Sequence, residues 1–285
     1  VIHPDNTREF FIYDDKGRLV YHISKTRVLT EQRRNAGGQV VLKIHYAKRI
    51  STSRILQLDR FTHYVDIRRV IEYDKLKSSN DQIHYFAYDD DGNKVLRIDS
   101  NYHVVRWFYD KANRRIGEYQ YFAPFPFSER LTFFNLSLSE IFQQLASMKM
   151  SEKDRLRLQI RDDLGRIRYD VDSGGFVTEK IYDTADHVIM EMLYKAPIDV
   201  FKLNEYTIDA IQSVIDLGKG SSVTFKLYDS FNQLVFHIDA MQYVSAFHHD
   251  VAANLTDMLS YTQRIALPLD MNISNIKVIL NGLNA

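Results

Sequence analysis

Tyr13-Asp14-Asp15-Lys16-Gly17-Arg18-Leu19-Val20-Tyr21-His22-Ile23 reads as a β-hairpin, and the chain repeats it. The run ahead of it, with Phe10 and Ile12, alternates with period two, as a half-buried strand does. In a four-residue turn an Asp at the first position accepts hydrogen bonds from turn amides, and the fourth position takes the left-handed region that Gly enters freely. Leu19, Tyr21 and Ile23 then alternate along the return strand. A 34-residue pattern opened by Tyr13-Asp14 and closed by Tyr46 recurs without a gap from Tyr88-Asp89 to Tyr121, from Arg161-Asp162 to Tyr194 and from Tyr228-Asp229 to Tyr261. The starts at 13, 88, 161 and 228 lie 75, 73 and 67 residues apart, a period that belongs to a repeat array.

The fourth turn position holds Gly17, Gly92, Gly165 and Asn232, and Asn is the residue best able to replace Gly at positive φ. A second turn follows Asp99, Asp172 and Asp239, and the next strand enters at Leu29, Val104, Val177 and Val244. It ends in a further Tyr-Asp at Tyr109-Asp110 and Tyr182-Asp183. Three residues on stand Gly38, Asn113 and Asp186, which tolerate the left-handed region, and Ala253, which does not favour it. Each repeat is expected to be two linked hairpins.

The connectors between meanders carry helical periodicity. Ser137-Leu138-Ser139-Glu140 is a capping box followed by Ile141, Phe142, Leu145 and Met148 on one face. Ile208, Ile211 and Ile215 form a stripe ending at Leu217-Gly218, and Phe61, Tyr64, Val65 and Ile71 suggest a helix in the first connector. The expected fold is mainly β with interspersed helices, an α+β repeat. Tandem antiparallel four-strand meanders, each followed by a helix, form an extended or curved β-strip. Unit 1 spans 1–81 (meander 9–46, connector 55–77) and unit 2 spans 82–154 (meander 83–121, helix 138–149). Unit 3 spans 155–220 (meander 155–194, helix 205–217) and unit 4 spans 221–285 (meander 223–261, next connector 270–282).

Composition supports a folded chain, with 45% hydrophobic residues and 18 Tyr and 17 Phe that suit pleated surfaces. Thirty-seven basic residues balance 37 acidic ones, which leaves no general field for nucleic acid or an anionic membrane, and no apolar run is long enough to insert in a bilayer. Zero cysteines exclude disulfides and thiolate metal sites. The first residues, which lack Met, resemble the lead-in to later copies, so the chain reads as a segment of a longer array.

Tyr-Asp-x-x-Gly-Arg at Tyr13 to Arg18, followed by an Ile-Asp-like pair and a second Tyr-Asp, resembles the YD repeat of RHS proteins. The resemblance covers the four meanders, about half the chain. It implies a large bacterial secreted or surface protein whose repeats form long curved β-strips, in some cases a shell around a toxic C-terminal domain. YD repeats usually follow one another directly, so a variant with helices regularly inserted fits better than the shell-forming type.

Reactive chemistry competes with a structural reading at each candidate. Asp89-Asp90-Asp91-Gly92-Asn93 is dense enough in carboxylate for Ca²⁺, yet it occupies a turn and lacks EF-hand spacing. His248-His249-Asp250 sits in a strand, where neighbours face opposite ways and cannot share an ion. Gly218-Lys219-Gly220-Ser221-Ser222 follows a helix instead of opening one, contrary to a phosphate loop. Trp107, Phe122, Phe125 and Phe127 fall outside the signature. With Pro124 and Pro126 breaking strand pairing, they are candidates for stacking on a sugar or partner.

The signature residues Tyr13, Asp14, Gly17, Tyr46, Tyr88, Asp89, Gly92, Tyr121, Asp162, Gly165, Tyr194, Tyr228, Asp229, Asn232 and Tyr261 read as structural. The expected function is a scaffold, stalk or self-assembling fibre segment, not an enzyme, with no cofactor and no metal. Its expected partners are neighbouring repeats of the same or identical chains, with a glycan or cell surface as further candidates and neither nucleic acid nor membrane insertion. The resemblance implies an extracellular or bacterial surface location. The alternatives are a wall segment of an RHS-type toxin carrier and a glycan-binding adhesin module.

Overall fold

The computed structural model describes residues 8–59, 62–73, 75–126, 137–149 and 151–283. They form a mainly β protein of antiparallel hairpins with a few helices, in two compact units.

The first unit takes in residues 1–114 and 118–155. Its strands are β1 (Phe10–Tyr13), β2 (Leu19–Ile23), β3 (Val28–Arg34), β4 (Val40–Arg49), β5 (Gln82–Tyr88), β6 (Lys94–Ile98) and β7 (Val104–Tyr109), with the second half of β8 (Arg115–Gln120) following. From β1 to β7 each strand pairs antiparallel with the next. Its helices are α1 (Thr52–Gln57), α2 (Tyr64–Tyr73) and α3 (Leu138–Ser147), so the first connector carries two helices where one was expected. At α3, Ser137 Oγ accepts from the Glu140 amide and Glu140 Oε2 accepts from the Ser137 amide, closing both ends of the capping box.

The second unit takes in residues 115–117 and 156–285. Its strands are β9 (Arg155–Arg161), β10 (Ile167–Val171), β11 (Val177–Tyr182), β12 (Val188–Tyr194), β13 (Ser221–Tyr228), β14 (Leu234–Ile238), β15 (Tyr243–His249) and β16 (Leu255–Arg264), again paired antiparallel in chain order. Helices α4 (Ile208–Val214) and α5 (Ile273–Leu283) complete it. In each unit the sheet is open, since chain-order neighbours pair and the outer strands do not.

Burial explains the alternation. Ile12, Tyr21, Ile23, Leu29 and Tyr46 pack with Ile67 and Ile71 of α2 to form one core. Leu96, Ile98 and Val104 pack with Ile141 and Leu145 of α3, and Phe236, Ile238 and Val244 pack with Ile276 and Leu280 of α5. A two-stranded hairpin is marginal alone, and an apolar helix stripe laid on one face supplies the missing burial.

The turns are of one kind. Three per repeat open at Asp14, Ser24 and Asn35; Asp89, Asp99 and Asp110; Asp162, Asp172 and Asp183; and Asp229, Asp239 and Asp250. In each, the opening amide donates to the carbonyl four residues on, and the amide three residues on donates back. That fourth residue always has positive φ, from 58° at Asn113 to 88° at Gly165. This is a turn closed by a left-handed bulge residue, which tightens strand twist. Ala253 takes φ 65° and its amide donates to Asp250 at 3.0 Å, so the turn forms despite the residue least suited to it.

Candidate functional site

The signature tyrosines and aspartates converge on backbone. Asp14 Oδ1 accepts from the Lys16 and Arg18 amides, and Oδ2 accepts from Arg18 Nε at 2.9 Å. The same turn clamp recurs at Asp110 with Arg114 and at Asp162 with Arg166. The bond from Arg18 holds the Asp14 carboxyl below its ordinary value. At Asp162, burial pushes upward but the Arg166 guanidinium and amide outweigh it and the carboxyl is again lowered.

The tyrosine hydroxyls close the next gap. Tyr88 donates to the Val40 carbonyl, Tyr109 to Lys94 and Tyr182 to Ile167, at 2.9, 2.9 and 2.7 Å. In each case the acceptor lies where the neighbouring strand leaves its turn. Arg34 fills the second Tyr slot of the first repeat and reaches the equivalent Leu19 carbonyl at 3.4 Å, while Tyr228 stacks on His187 with centroids 4.4 Å apart.

Two closing tyrosines do something else. Tyr46 donates to Oε2 of Glu31 at 2.5 Å, and Arg33 Nε donates to Oε1 at 2.6 Å. Glu31 is only 5% exposed. In the third repeat Tyr194 and Tyr169 both donate to Glu179, Arg168 donates to it at 2.5 Å, and Gln212 of α4 donates to the Tyr169 hydroxyl. Tyr21, Glu31, Arg33, Tyr46, Arg68 and Lys77 line a cleft of about 350 Å³ beside α2. Burial, then the bond to Glu31, pushes the Tyr46 phenol far above its ordinary value, and the same causes raise Tyr194. A phenol held protonated offers neither a nucleophile nor a base at neutral pH. What the arrangement does is neutralise a buried carboxylate and tie β3, β4 and their helix together.

The aromatic candidates separate. Phe125 is 2% exposed, and its amide donates to the Tyr102 carbonyl at 2.8 Å, so it is a core plug and not a ring offered to solvent. Ile50, Ile198 and Ile265 repeat that contact with the carbonyls of Arg27, Gly175 and Gln242. Phe122 is 53% exposed with Lys153 Nζ 4.7 Å from its ring centroid. Trp107 Nε1 donates to Glu118, and Phe127 lies outside the described residues. Asp89 accepts from the Asn93 amide and side chain within its turn, and His248 Nδ1 lies 3.7 Å from Asp257. Among the described residues no three His, Asp or Glu side chains gather as metal ligands. No helix there is long and apolar enough to cross a membrane.

Sequence reasoning missed a pair of latches. Asp81 accepts from the Ala47 amide with one carboxylate oxygen and from Ser78 with the other. Asp154 accepts from Phe122 and from Ser151, and also from the Tyr119 hydroxyl. Each Asp lies just ahead of the strand that opens the next repeat, and each holds the residue that follows a closing tyrosine. In the third repeat the Gly220 carbonyl takes the place of the carboxylate and accepts from Lys195. Ser-x-x-Asp at Ser78 and at Ser151 was the available signal, hidden because the third copy dispenses with it.

A scan against protein-family models finds no match, and a search of curated proteins finds none. Solved structures do resemble the chain. The crystal structure of TcdB2-TccC3-TEV superposes with a TM-score of 0.56 at 11% identity, over 89% of this chain and 10% of that one. That of TcdB2-TccC3-Cdc42 gives 0.43 at 10% identity over 90% and 14%. The Tc holotoxin pore of Photorhabdus luminescens gives 0.41 at 12% identity over 88% and 12%. At such identity the first likeness is one of fold. The chain shares its fold with a stretch of the TcdB2-TccC3-TEV structure and spans 10% of that chain's length.

Proposed function

We propose that the chain is a structural repeat segment of a large secreted or cell-surface YD/RHS-like protein, acting as scaffold or stalk. The observation that carries this is where the signature side chains end. The aspartates bond turn amides, and Tyr88, Tyr109 and Tyr182 bond strand carbonyls. Residues kept for such bonds maintain strand geometry, and units joined strand to strand extend by addition. A second reading, a wall segment of a toxin carrier, draws on the fold likeness to a TccC3-containing structure and on the naming of TccC3 with the Tc holotoxin.

The test is exchange. In the parent protein, this segment is replaced by an equal number of unrelated YD repeats, and secretion and surface display are measured. A scaffold tolerates the exchange. Loss of display from a normally folded, normally secreted exchange variant points to a specific binding role and overturns the proposal. Loss of cargo protection with display intact favours the carrier reading.

A further inference from the structure

The cleft beside α2 holds more positive charge than its buried acid needs. In the third repeat Glu179 is matched by one cation, Arg168, and the place beside the Tyr169 hydroxyl goes to the neutral Gln212 of α4. In the first repeat Arg33 already matches Glu31, yet Arg68 of α2 stands beside Tyr21 as Gln212 stands beside Tyr169, and Lys77 joins the lining. The Arg68 guanidinium lies 5.6 Å from the Tyr64 ring centroid, and no carboxylate among the described residues comes within ion-pair distance of it or of Lys77.

The excess is regional as well as local. The first 80 residues carry 16 Lys and Arg against nine Asp and Glu, and the rest of the chain carries 21 against 28. Overall neutrality therefore conceals a positive first repeat, whose field draws anions toward it.

The cleft is built to receive one. Its volume of about 350 Å³ is that of a small-molecule site. Tyr21 and Tyr46 are buried at its floor, while Arg33, Arg68 and Lys77 are exposed around it. Arg33 Nε donates to Glu31 at 2.6 Å, which fixes the plane of the guanidinium and leaves its terminal nitrogens for a ligand. A guanidinium presents parallel donors to the two oxygens of a carboxylate. Three cations against Glu31 and Glu72 leave a net charge of one, which suits a single carboxylate better than a phosphate dianion. Glu72, exposed in the same lining, repels a second negative charge and accepts a hydrogen bond from a hydroxyl.

We propose that this cleft binds a compact hydroxylated molecule bearing one carboxylate, the class of the sugar acids. Arg33 and Arg68 take the carboxylate, Lys77 adds to their charge, and Glu72 takes a hydroxyl. The site goes beyond the scaffold reading and is tested apart from it.

Sodium glucuronate titrated into the chain at low ionic strength is expected to move the NMR signals of Arg33 Nε–H and of the α2 amides saturably, and added sodium chloride to weaken the effect. Glucose, which offers hydroxyls without the charge, is expected to move nothing, and inorganic phosphate to bind more weakly. Arg68→Gln installs the side chain that the third repeat carries at Gln212, so the melting temperature should hold while glucuronate affinity falls by roughly tenfold or more. Lys77→Gln, at an exposed side chain without an ion pair, should also weaken binding, and it decides the matter if Arg68→Gln does not fold. No saturable change, or an affinity that neither substitution alters, overturns the site. Glucose or phosphate binding as tightly as glucuronate overturns the ligand class. An acetylated, amidated glutamate binding as tightly overturns it in favour of an acidic side chain of a protein.

Discussion

Tyr46 donates its hydroxyl to the buried carboxylate of Glu31 at 2.5 Å, and Tyr194 stands in the same relation to Glu179. The other repeats keep the closing tyrosine without the acid. At the positions of Tyr21 and Glu31 the second repeat has Leu96 and Arg106, and the fourth has Phe236 and Ala246. The buried acid is thus one of several ways to fill a space under the connector helix. Its consequence is a debt of desolvation that only Tyr and Arg donors offset.

Replacing Glu31 by Ala leaves the Tyr46 hydroxyl buried without its acceptor and should cost about 1–3 kcal/mol. Combining it with Tyr21→Phe and Tyr46→Phe should cost less than the sum of the separate changes, since no phenol hydroxyl is then left buried without its acceptor, as with Phe236 and Ala246 in the fourth repeat. Urea unfolding with amide exchange along β3 and β4 measures both. Strict additivity would show that the three side chains do not form one network.

Gly175 should be the least replaceable turn glycine. Its φ is +82°, and an added Cβ would lie 2.3 Å from the Ile198 carbonyl oxygen, which is backbone and cannot swing aside. At Gly17, with φ +72°, an added Cβ meets nothing within 4 Å. Gly17→Ala should cost about 1–2 kcal/mol for the left-handed backbone alone. Gly175→Ala should cost clearly more, although Arg27, Tyr102 and Gln242 occupy the equivalent place elsewhere. Equal losses in thermal unfolding would remove the close approach from the explanation.

These positions also divide what the sequence discloses from what it hides. Turn-opening aspartates and the glycines three residues on are legible because their geometry is set within five residues of chain. Ala253 shows the limit, since flanking strands impose a conformation its own preference opposes. Phe125 was hidden because its burial depends on the Tyr102 carbonyl, 23 residues earlier, and not on the neighbouring prolines. Helix α1 was hidden because the apolar spacing that marks the first connector, with Tyr64, Val65 and Ile71, lies on α2.

Acidification should loosen the chain in two stages. Burial, with Lys43 beside it, lowers the His45 imidazole, and burial with Arg97 lowers His84, both from an ordinary 6.5. A histidine that resists protonation in the fold contributes stability above its unfolded pKa, and that contribution drains as pH falls below 6.5. The turn carboxyls of Asp14, Asp162 and Asp250 are lowered from 3.8, so their contribution is present above that value and is lost as pH falls through the folded pKa. Melting followed by circular dichroism across this range should fall in both windows, and His45→Gln combined with His84→Gln should flatten the first. A melting temperature that rises on acidification would contradict the sign.

The connector latches should fail separately. Asp154→Ala removes the acceptor of the Phe122 and Ser151 amides and of the Tyr119 hydroxyl, and Asp81→Ala removes that of the Ala47 and Ser78 amides. Losing several bonds to a buried carboxylate should cost about 2–4 kcal/mol locally and speed exchange at Phe122 or Ala47 in the repeat concerned. Lys195 should be untouched by either change, because its acceptor is the Gly220 carbonyl and no side chain holds it. Asn at position 154 keeps one acceptor oxygen and should recover the Phe122 bond but not all of the others. If Asp154→Ala left the Phe122 amide as protected as before, the carboxylate would not be what fixes the chain as it leaves the second meander.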